Sequence, residues 1–291
     1  MRLRLLPLGL IAAVALTAPV EARQENRAGG KLLLTNAVSS VEGAAGGGLA
    51  SWAVIAGNET RDGYGFSGHV TFVPLADYAL TSEGGAIGIR DRLELSYAHE
   101  RFDTKAVGAA LGLGHGFVFG ENVFGAKLRV AGDAVYSPGL MPQIAVGVQY
   151  KKADQGAVIA AVGGKHDAGV DYYVSATKAL LAQSLVLDAT VRFTKANQFG
   201  LLGFGGDKSD SYKPQFEGSA GLLVTRRILV GAEARTKPDN LGFARENAAY
   251  DGFVAYALAR NVSLTAAYVD LGSIATIRGQ HGAFLSIQTS F

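Results

Sequence analysis

The 291-residue chain contains no cysteine, one tryptophan and two methionines, and only 18% of its residues are charged. Without cysteine there is no disulfide framework and no thiol chemistry, which fits an oxidising compartment only passively. A soluble domain usually carries about a quarter charged residues, so this chain has little charge for a surface that faces water on all sides. The charges also nearly cancel, 27 Lys and Arg against 25 Asp and Glu. No basic stripe interrupts that balance, and nucleic acid is not an expected partner. Beyond the first two dozen residues, no run approaches the ~20 apolar residues of a membrane-spanning helix.

Signals of catalysis are missing too. The five histidines, His69, His99, His115, His166 and His281, lie in no nucleophile motif, and there is no G-x-S-x-G. A hydrolase needs a Ser and an oriented His within hydrogen-bond reach, so an enzyme is not expected and no catalytic residue is assigned. Gly112-Leu113-Gly114-His115-Gly116 lacks the third spacing of a dinucleotide fingerprint, and Gly203-Phe204-Gly205-Gly206 precedes no helical pattern. Asp207, Ser209 and Asp210 offer oxygen ligands without the spacing or closing Glu of a calcium loop. No metal or cofactor is expected.

What is present points to export and insertion. Arg2 and Arg4 precede an apolar run from Leu5 to about Ala18, Pro19 breaks it, and Val20-Glu21-Ala22 supplies small residues for signal cleavage. Residues 1–22 are read as a signal peptide. At the other end Phe291, Thr289, Ile287, Leu285 and Ala283 alternate with Ser290, Gln288 and Ser286. A strand with one apolar and one polar face, ending on an aromatic, resembles the signal that the bacterial barrel-assembly machinery reads, so Phe291 is assigned that role.

Two-residue alternation recurs between these ends. Leu93, Leu95 and Tyr97 alternate with Glu94, Ser96 and Ala98; Phe124, Ala126, Leu128 and Val130 with Gly125, Lys127 and Arg129; and Leu185, Leu187, Ala189, Val191 and Phe193 with Val186, Asp188, Thr190 and Arg192. Period two with the charges on one face is a strand signature. Short turns at Arg90-Asp91-Arg92, 179–183, Thr225-Arg226 and 259–261 alternate with long Gly- and Asp-rich links at about 103–121, 153–168, 195–213, 237–249 and 271–281. That parity predicts an all-β fold, a transmembrane antiparallel up-and-down β-barrel of about 12 strands over residues 63–291, with short turns toward the periplasm. Leu49 to Gly57 and Ala157 to Gly163 are also apolar enough for strands, and including both gives a 14-strand alternative. Tyr97, Phe102, Tyr150, Phe193, Phe216, Tyr250 and Tyr268 are read as interfacial girdles.

Residues 23–62 stay outside the wall. They hold Leu32-Leu33-Leu34, the run Gly43 to Gly48 and Trp52, and two readings stand: a plug in the lumen, its glycines letting backbone lie close to the wall, or a periplasmic leader. The polar face of the wall carries Glu94, Glu100, Lys127, Arg129, Lys151, Asp171, Asp188, Arg192, Glu217, Glu233, Arg235 and Asp251. Of these Glu94, Lys127, Arg129, Asp188, Arg192, Glu217, Glu233 and Arg235 are assigned as lumen-lining charges. Charge in lipid at mid-depth costs about 2–4 kcal/mol, so the bases need acidic partners, with Glu94 and Asp188 the expected ones for Lys127, Arg129 and Arg192. Two functions fit: a narrow, porin-like channel or transporter for a small polar solute, and a closed structural or docking barrel whose outer loops bind a partner.

Four stretches carry a resemblance: Lys31 to Asn36, Val41 to Gly48, Thr194-Lys195-Ala196-Asn197-Gln198-Phe199-Gly200-Leu201-Leu202-Gly203-Phe204-Gly205-Gly206-Asp207, and Arg235-Thr236-Lys237-Pro238-Asp239-Asn240-Leu241-Gly242. With these the chain resembles a proteobacterial outer-membrane family known only as domain of unknown function 3034. The resemblance implies no activity and directs attention to the links at 195–213 and 237–242. The expected location is the bacterial outer membrane, and the expected partners are its lipids, the barrel-assembly machinery and periplasmic chaperones.

Overall fold

Twelve strands close into one antiparallel barrel, each hydrogen-bonded to the next around the ring. The structure is a computed structural model that describes residues 31, 34, 38–59 and 61–291; the expected signal peptide at 1–22 lies outside the described residues. The wall consists of β1 (Tyr64–Pro74), β2 (Ala79–Ile89), β3 (Leu93–Asp103), β4 (Val118–Ala131), β5 (Gln143–Ala153), β7 (Ala168–Leu180), β8 (Leu185–Thr194), β10 (Lys213–Thr225), β11 (Ile228–Arg235), β12 (Ala249–Ala259), β13 (Val262–Asp270) and β14 (His281–Ser290). The short strands β6 (Gly164–His166) and β9 (Phe204–Gly206) pair with each other across two of the long links. Closure joins β1 to β14, with Ser67 opposite Ser290 and Phe72 opposite Leu285. A closed ring leaves no strand edge unpaired, which is what lets β-structure survive in hydrocarbon.

Burial follows the alternation. Along β8 the odd-numbered Leu187 and Phe193 are exposed while Val186, Asp188, Thr190 and Arg192 are buried. Phe66, Val70, Ile87, Leu95, Phe124, Val174, Leu222, Val254, Leu264, Leu285 and Ile287 are all exposed on the outside of the ring. A water-facing protein does not surround itself with such a belt, and a lipid-facing wall requires one. The short turns gather at one end and the long links at the other, and the ends are called periplasmic and outer accordingly. The link between β4 and β5 is the one extended connection at the periplasmic end.

Two details decide between the alternatives or add to the reading, and one corrects it. Leu49 to Gly57 is no wall strand, and Ala157 to Gly163 is largely the short helix α2 (Gly156–Ala161) inside an outer link, so the 14-strand alternative falls. A second short helix, α1 (Lys105–Ala110), sits in the link before β4. Phe102 is not a girdle residue. It shares parity with Glu94 and Glu100, points inward, is 7% exposed and packs against Tyr78 with ring centroids 5.0 Å apart. The other six aromatics of that set are exposed on the outside.

Residues 38–59 run through the interior of the ring, and nearly all of them are buried. They form no strand of the wall. Isolated bridges, Ser39 with Ala45 and Gly46 with Ser51, fold the segment on itself. Glycine is needed where it touches the wall: Gly43 has φ +87°, and a Cβ there would stand 2.8 Å from the Tyr97 carbonyl oxygen. A Cβ on Gly47 would overlap the Glu233 carboxylate.

Candidate functional site

The interior segment meets the wall through side chains. Backbone N–H groups that the segment cannot pair internally donate to wall carboxylates and hydroxyls: Leu49 to Glu233 Oε2 at 2.7 Å, Ser51 to Glu217 Oε2 at 2.8 Å and Ala53 to Thr177 Oγ1 at 2.7 Å. Its carbonyls accept in return, Ala53 from Gln143 Nε2 at 2.7 Å and Ser51 from Thr190 Oγ1 at 2.7 Å. Trp52 is 2% exposed and its indole N–H donates to Ser219 Oγ at 2.9 Å. An irregular backbone buried away from water has to find such partners. A polar wall supplies them.

Charge concentrates at one knot. Glu42, the sole charged residue between Lys31 and Glu59, lies 2.5 Å from Lys151 Nζ, 2.7 Å from Arg235 Nη2 and 3.5 Å from Arg192 Nη2. Behind it Arg192 Nε donates to Glu217 Oε1 and Arg192 Nη1 stands 3.4 Å from Asp171, while Lys151 is 3.2 Å from Asp171 and Arg235 Nε 3.4 Å from Glu217. Three acids, Glu42, Asp171 and Glu217, thus face three bases, Lys151, Arg192 and Arg235. Arg192 also lies over the Tyr173 ring and Arg235 over the Phe199 ring, their guanidinium carbons 4.9 and 4.4 Å from the centroids. Buried charges persist only when paired and hydrogen-bonded, and this set has both.

A second cluster holds the middle of the segment. Glu94 accepts from the N–H of Ala45 at 3.1 Å and of Ala56 at 2.8 Å, and lies 3.1 Å from Lys127 Nζ. Lys127 donates onward to the carbonyls of Ala45 at 3.0 Å and Val54 at 2.8 Å. At the periplasmic mouth Lys31 is 3.0 Å from Glu59 and 3.3 Å from Asp91. Burial pushes the Glu59 carboxyl above the ordinary carboxylate range, against the pull of Lys31. Asn58 N–H donates to the Phe291 carbonyl at 2.9 Å, so the segment's end is tied to the seam of the barrel.

The eight wall charges singled out by alternation are distributed as follows. Arg192, Glu217 and Arg235 meet at the Glu42 knot, Glu94 pairs with Lys127, and Glu233 accepts from Leu49 and from Ser219 Oγ. Three expectations differ: Arg192 pairs with Glu42, Asp171 and Glu217 and with neither Glu94 nor Asp188. Arg129 lies toward the periplasmic end and pairs with Asp91 at 2.7 Å and Asp133 at 3.5 Å, residues of turns rather than strands. Asp188 forms no ion pair among the described residues; it accepts from Thr177 Oγ1 at 2.6 Å and Thr190 Oγ1 at 3.3 Å. Thr177, directly opposite on β7, and Thr190, two residues along β8, take the place of a base across the lumen. Sequence reasoning did not single out Glu42. The signal available was its isolation, one acid in an otherwise uncharged stretch that runs past a wall of bases.

Above the knot, at the outer end, the long links form a roof. Asn240, buried, donates through Nδ2 to Asn197 Oδ1 and to the Lys195 carbonyl, both at 3.2 Å. Asn197 in turn donates to the carbonyl of Gly205 at 2.9 Å. Lys237 and Glu246, 3.3 Å apart, join the link after β11 to Gln198, whose N–H and Nε2 each donate to Glu246 at 2.9 Å. Between this roof and the interior segment lies a cavity of about 370 Å³ with mostly apolar walls. Among the described residues no group of three His, Cys, Asp or Glu is placed to hold a metal.

A family model described as "Protein of unknown function (DUF3034)" matches residues 35–288. No curated protein sequence matches the chain. Among solved structures, the KdgM porin superimposes with a TM-score of 0.50 at 10% identity, covering 77% of this chain and 99% of that one. The NanC porin superimposes with a TM-score of 0.50 at 9% identity, over 78% of this chain and 98% of that one. At such identities the likeness is one of fold, the closed barrel of outer-membrane porins.

Proposed function

The chain belongs to the DUF3034 family of proteins of unknown function, and from that premise we propose that it is an outer-membrane, porin-like channel for a small polar solute, held shut by residues 38–59. One observation carries the reading: the wall behind the segment is hydrophilic. Ser, Thr, Gln, Glu, Lys and Arg side chains satisfy the segment's backbone, and no strand ladder joins the two. If the segment leaves, it uncovers a polar path and not an apolar one. Mixed charge along that path suits a hydrated solute better than a lipid.

The second reading is a permanently closed barrel that acts through its outer links. It is favoured by the depth of the Glu42 knot, where removing one partner from a buried pair costs about 3–5 kcal/mol. Bilayer recording separates the two. The whole chain is expected to conduct rarely, and a variant lacking residues 38–57 to conduct in long steps. Should that variant show the heat-modifiable mobility of a folded barrel and still stay silent, the channel gives way to the closed barrel.

A further inference from the structure

An unpaired carboxyl pair lies at the edge of the outer cavity. Glu100 on β3 and Glu121 on β4 stand opposite each other in register and both point inward. They are 2% and 1% exposed, and Glu100 Oε1 and both Glu121 oxygens have no hydrogen-bond partner among the described residues. Their nearest bases are spoken for. Lys151 is engaged by Glu42, Asp171 and the Phe199 carbonyl, and Arg235 by Glu42, Glu217 and the Leu49 carbonyl. The six-member knot is balanced, so these two carboxyls are in excess. Buried polar groups without partners are rare in folded proteins and mark a strained, catalytic or ligand-binding place.

Glu100 lines the cavity itself. The remaining wall is mostly apolar, with Tyr78, Thr104 and Gln198 its other polar residues: Val41 and Leu49 of the interior segment form the floor, and Phe102, Phe119, Leu202 and Ile274 are among the sides and roof. At about 370 Å³ the space falls in the range of small-molecule pockets and has the volume of roughly a dozen waters. Water alone would find few polar partners there. The lining has no Lys, Arg or His, so an anionic head would find no base to pair with.

We propose that this cavity is a binding site for a compact apolar molecule ending in an ammonium group, its apolar body against the loop roof and its N–H donors on Glu100, whose neighbour in register is Glu121. The ammonium donates to the unpaired Glu100 oxygen and, as its counter-ion, stabilises the ionised form of that buried carboxyl, while the body replaces water on apolar walls. Because Val41 and Leu49 belong to the interior segment, the occupant rests directly on the plug.

The test uses the full chain in detergent, with 4-phenylbutylamine, 4-phenylbutan-1-ol and 4-phenylbutanoate as probes, three heads on one apolar body. Calorimetric titration, corrected by detergent alone, is expected to show the amine binding at least tenfold more tightly than the alcohol, and no binding of the carboxylate. Glu100→Gln should bring the amine down to the alcohol's affinity, and Val158→Trp, which fills the roof, should weaken both at least tenfold. Equal affinity for all three heads, no amine binding to the wild type, or amine binding unchanged in Glu100→Gln would overturn the site. If either variant fails to fold, the three-head comparison on the wild type still decides. No conductance is read, so this outcome and that of the channel experiment are independent.

Discussion

The carboxylate of Glu42 lies 2.7 Å from the guanidinium of Arg235, a contact between residues 193 positions apart that joins the interior segment to the barrel wall. Lys151 and Arg192 complete its surroundings. Glu42→Gln keeps the shape and removes the charge, leaving three bases facing two acids. Breaking such a pair from one side costs about 3–5 kcal/mol, so the segment should loosen while the barrel stays closed. Trp52, the single tryptophan, reports it: the wild type should emit at short wavelength and resist acrylamide, and Glu42→Gln should shift red and quench several-fold more readily. Identical quenching in the two proteins would mean that the knot does not hold the segment.

Glu59 predicts a pH effect of defined sign. Burial raises its pKa in the docked segment despite Lys31, 3.0 Å away; Asp91 adds to the negative charge nearby. The docked state therefore binds a proton more readily than a released one would. Docking should strengthen as pH falls from neutral toward the ordinary carboxylate range, and weaken as pH rises through the raised value. Trp52 quenching should be lower at pH 5 than at pH 8. Glu59→Gln should remove that part of the dependence, and a variant with the full wild-type slope would assign the effect elsewhere.

The topology is testable because the chain has no native thiol. A Cys at Ser211, exposed in the link after β8, should react with a membrane-impermeant maleimide on whole cells, and one at Arg226, in the turn before β11, should react only after lysis. Asn240 also lies in a long outer link, but it is fully buried, and a Cys there should react slowly from either side. Labelling of Arg226→Cys on intact cells would invert the barrel.

Phe291 is 61% exposed on the outer face, and its backbone exchanges both hydrogen bonds with Phe66, at 2.8 and 2.9 Å. Deleting it removes the aromatic that the assembly machinery is expected to read and the acceptor for Asn58. The outer-membrane level of the deletion should fall several-fold at unchanged synthesis, with the missing protein degraded in the periplasm. Normal levels on a membrane-fraction immunoblot would refute the assembly role.

The wall was legible in the sequence because a strand records its two faces locally. Every second residue of Leu185 to Thr194 states which side meets lipid, and the parity of short and long links counts the crossings. Phe102 was misassigned by reading its aromatic type over its parity with Glu94 and Glu100. The interior was less legible because its contacts are not periodic. Glu42 reaches Lys151 and Arg235 across 109 and 193 residues, and nothing near Val41 or Gly43 encodes that meeting. Arg129 found Asp91 and Asp133 because turn residues also point into a barrel's mouth, which an argument from strands alone overlooks. The outer cavity is made by links with no repeat at all; by alternation Glu100 is one more member of a mixed-sign wall, and Glu121 falls at the end of the link expected at about 103–121.

Residues 38–59 precede every wall strand in the chain, yet Asn58 bonds to Ser290 and Phe291, which follow them all. The acceptors exist only when β14 has met β1. Bringing them together closes a loop of 232 residues, a slow event for a chain dominated by long-range pairing. Until that moment the interior segment has a place to go but lacks the tie of its end to the seam, so its full docking can serve as the molecule's own record that the ring is complete.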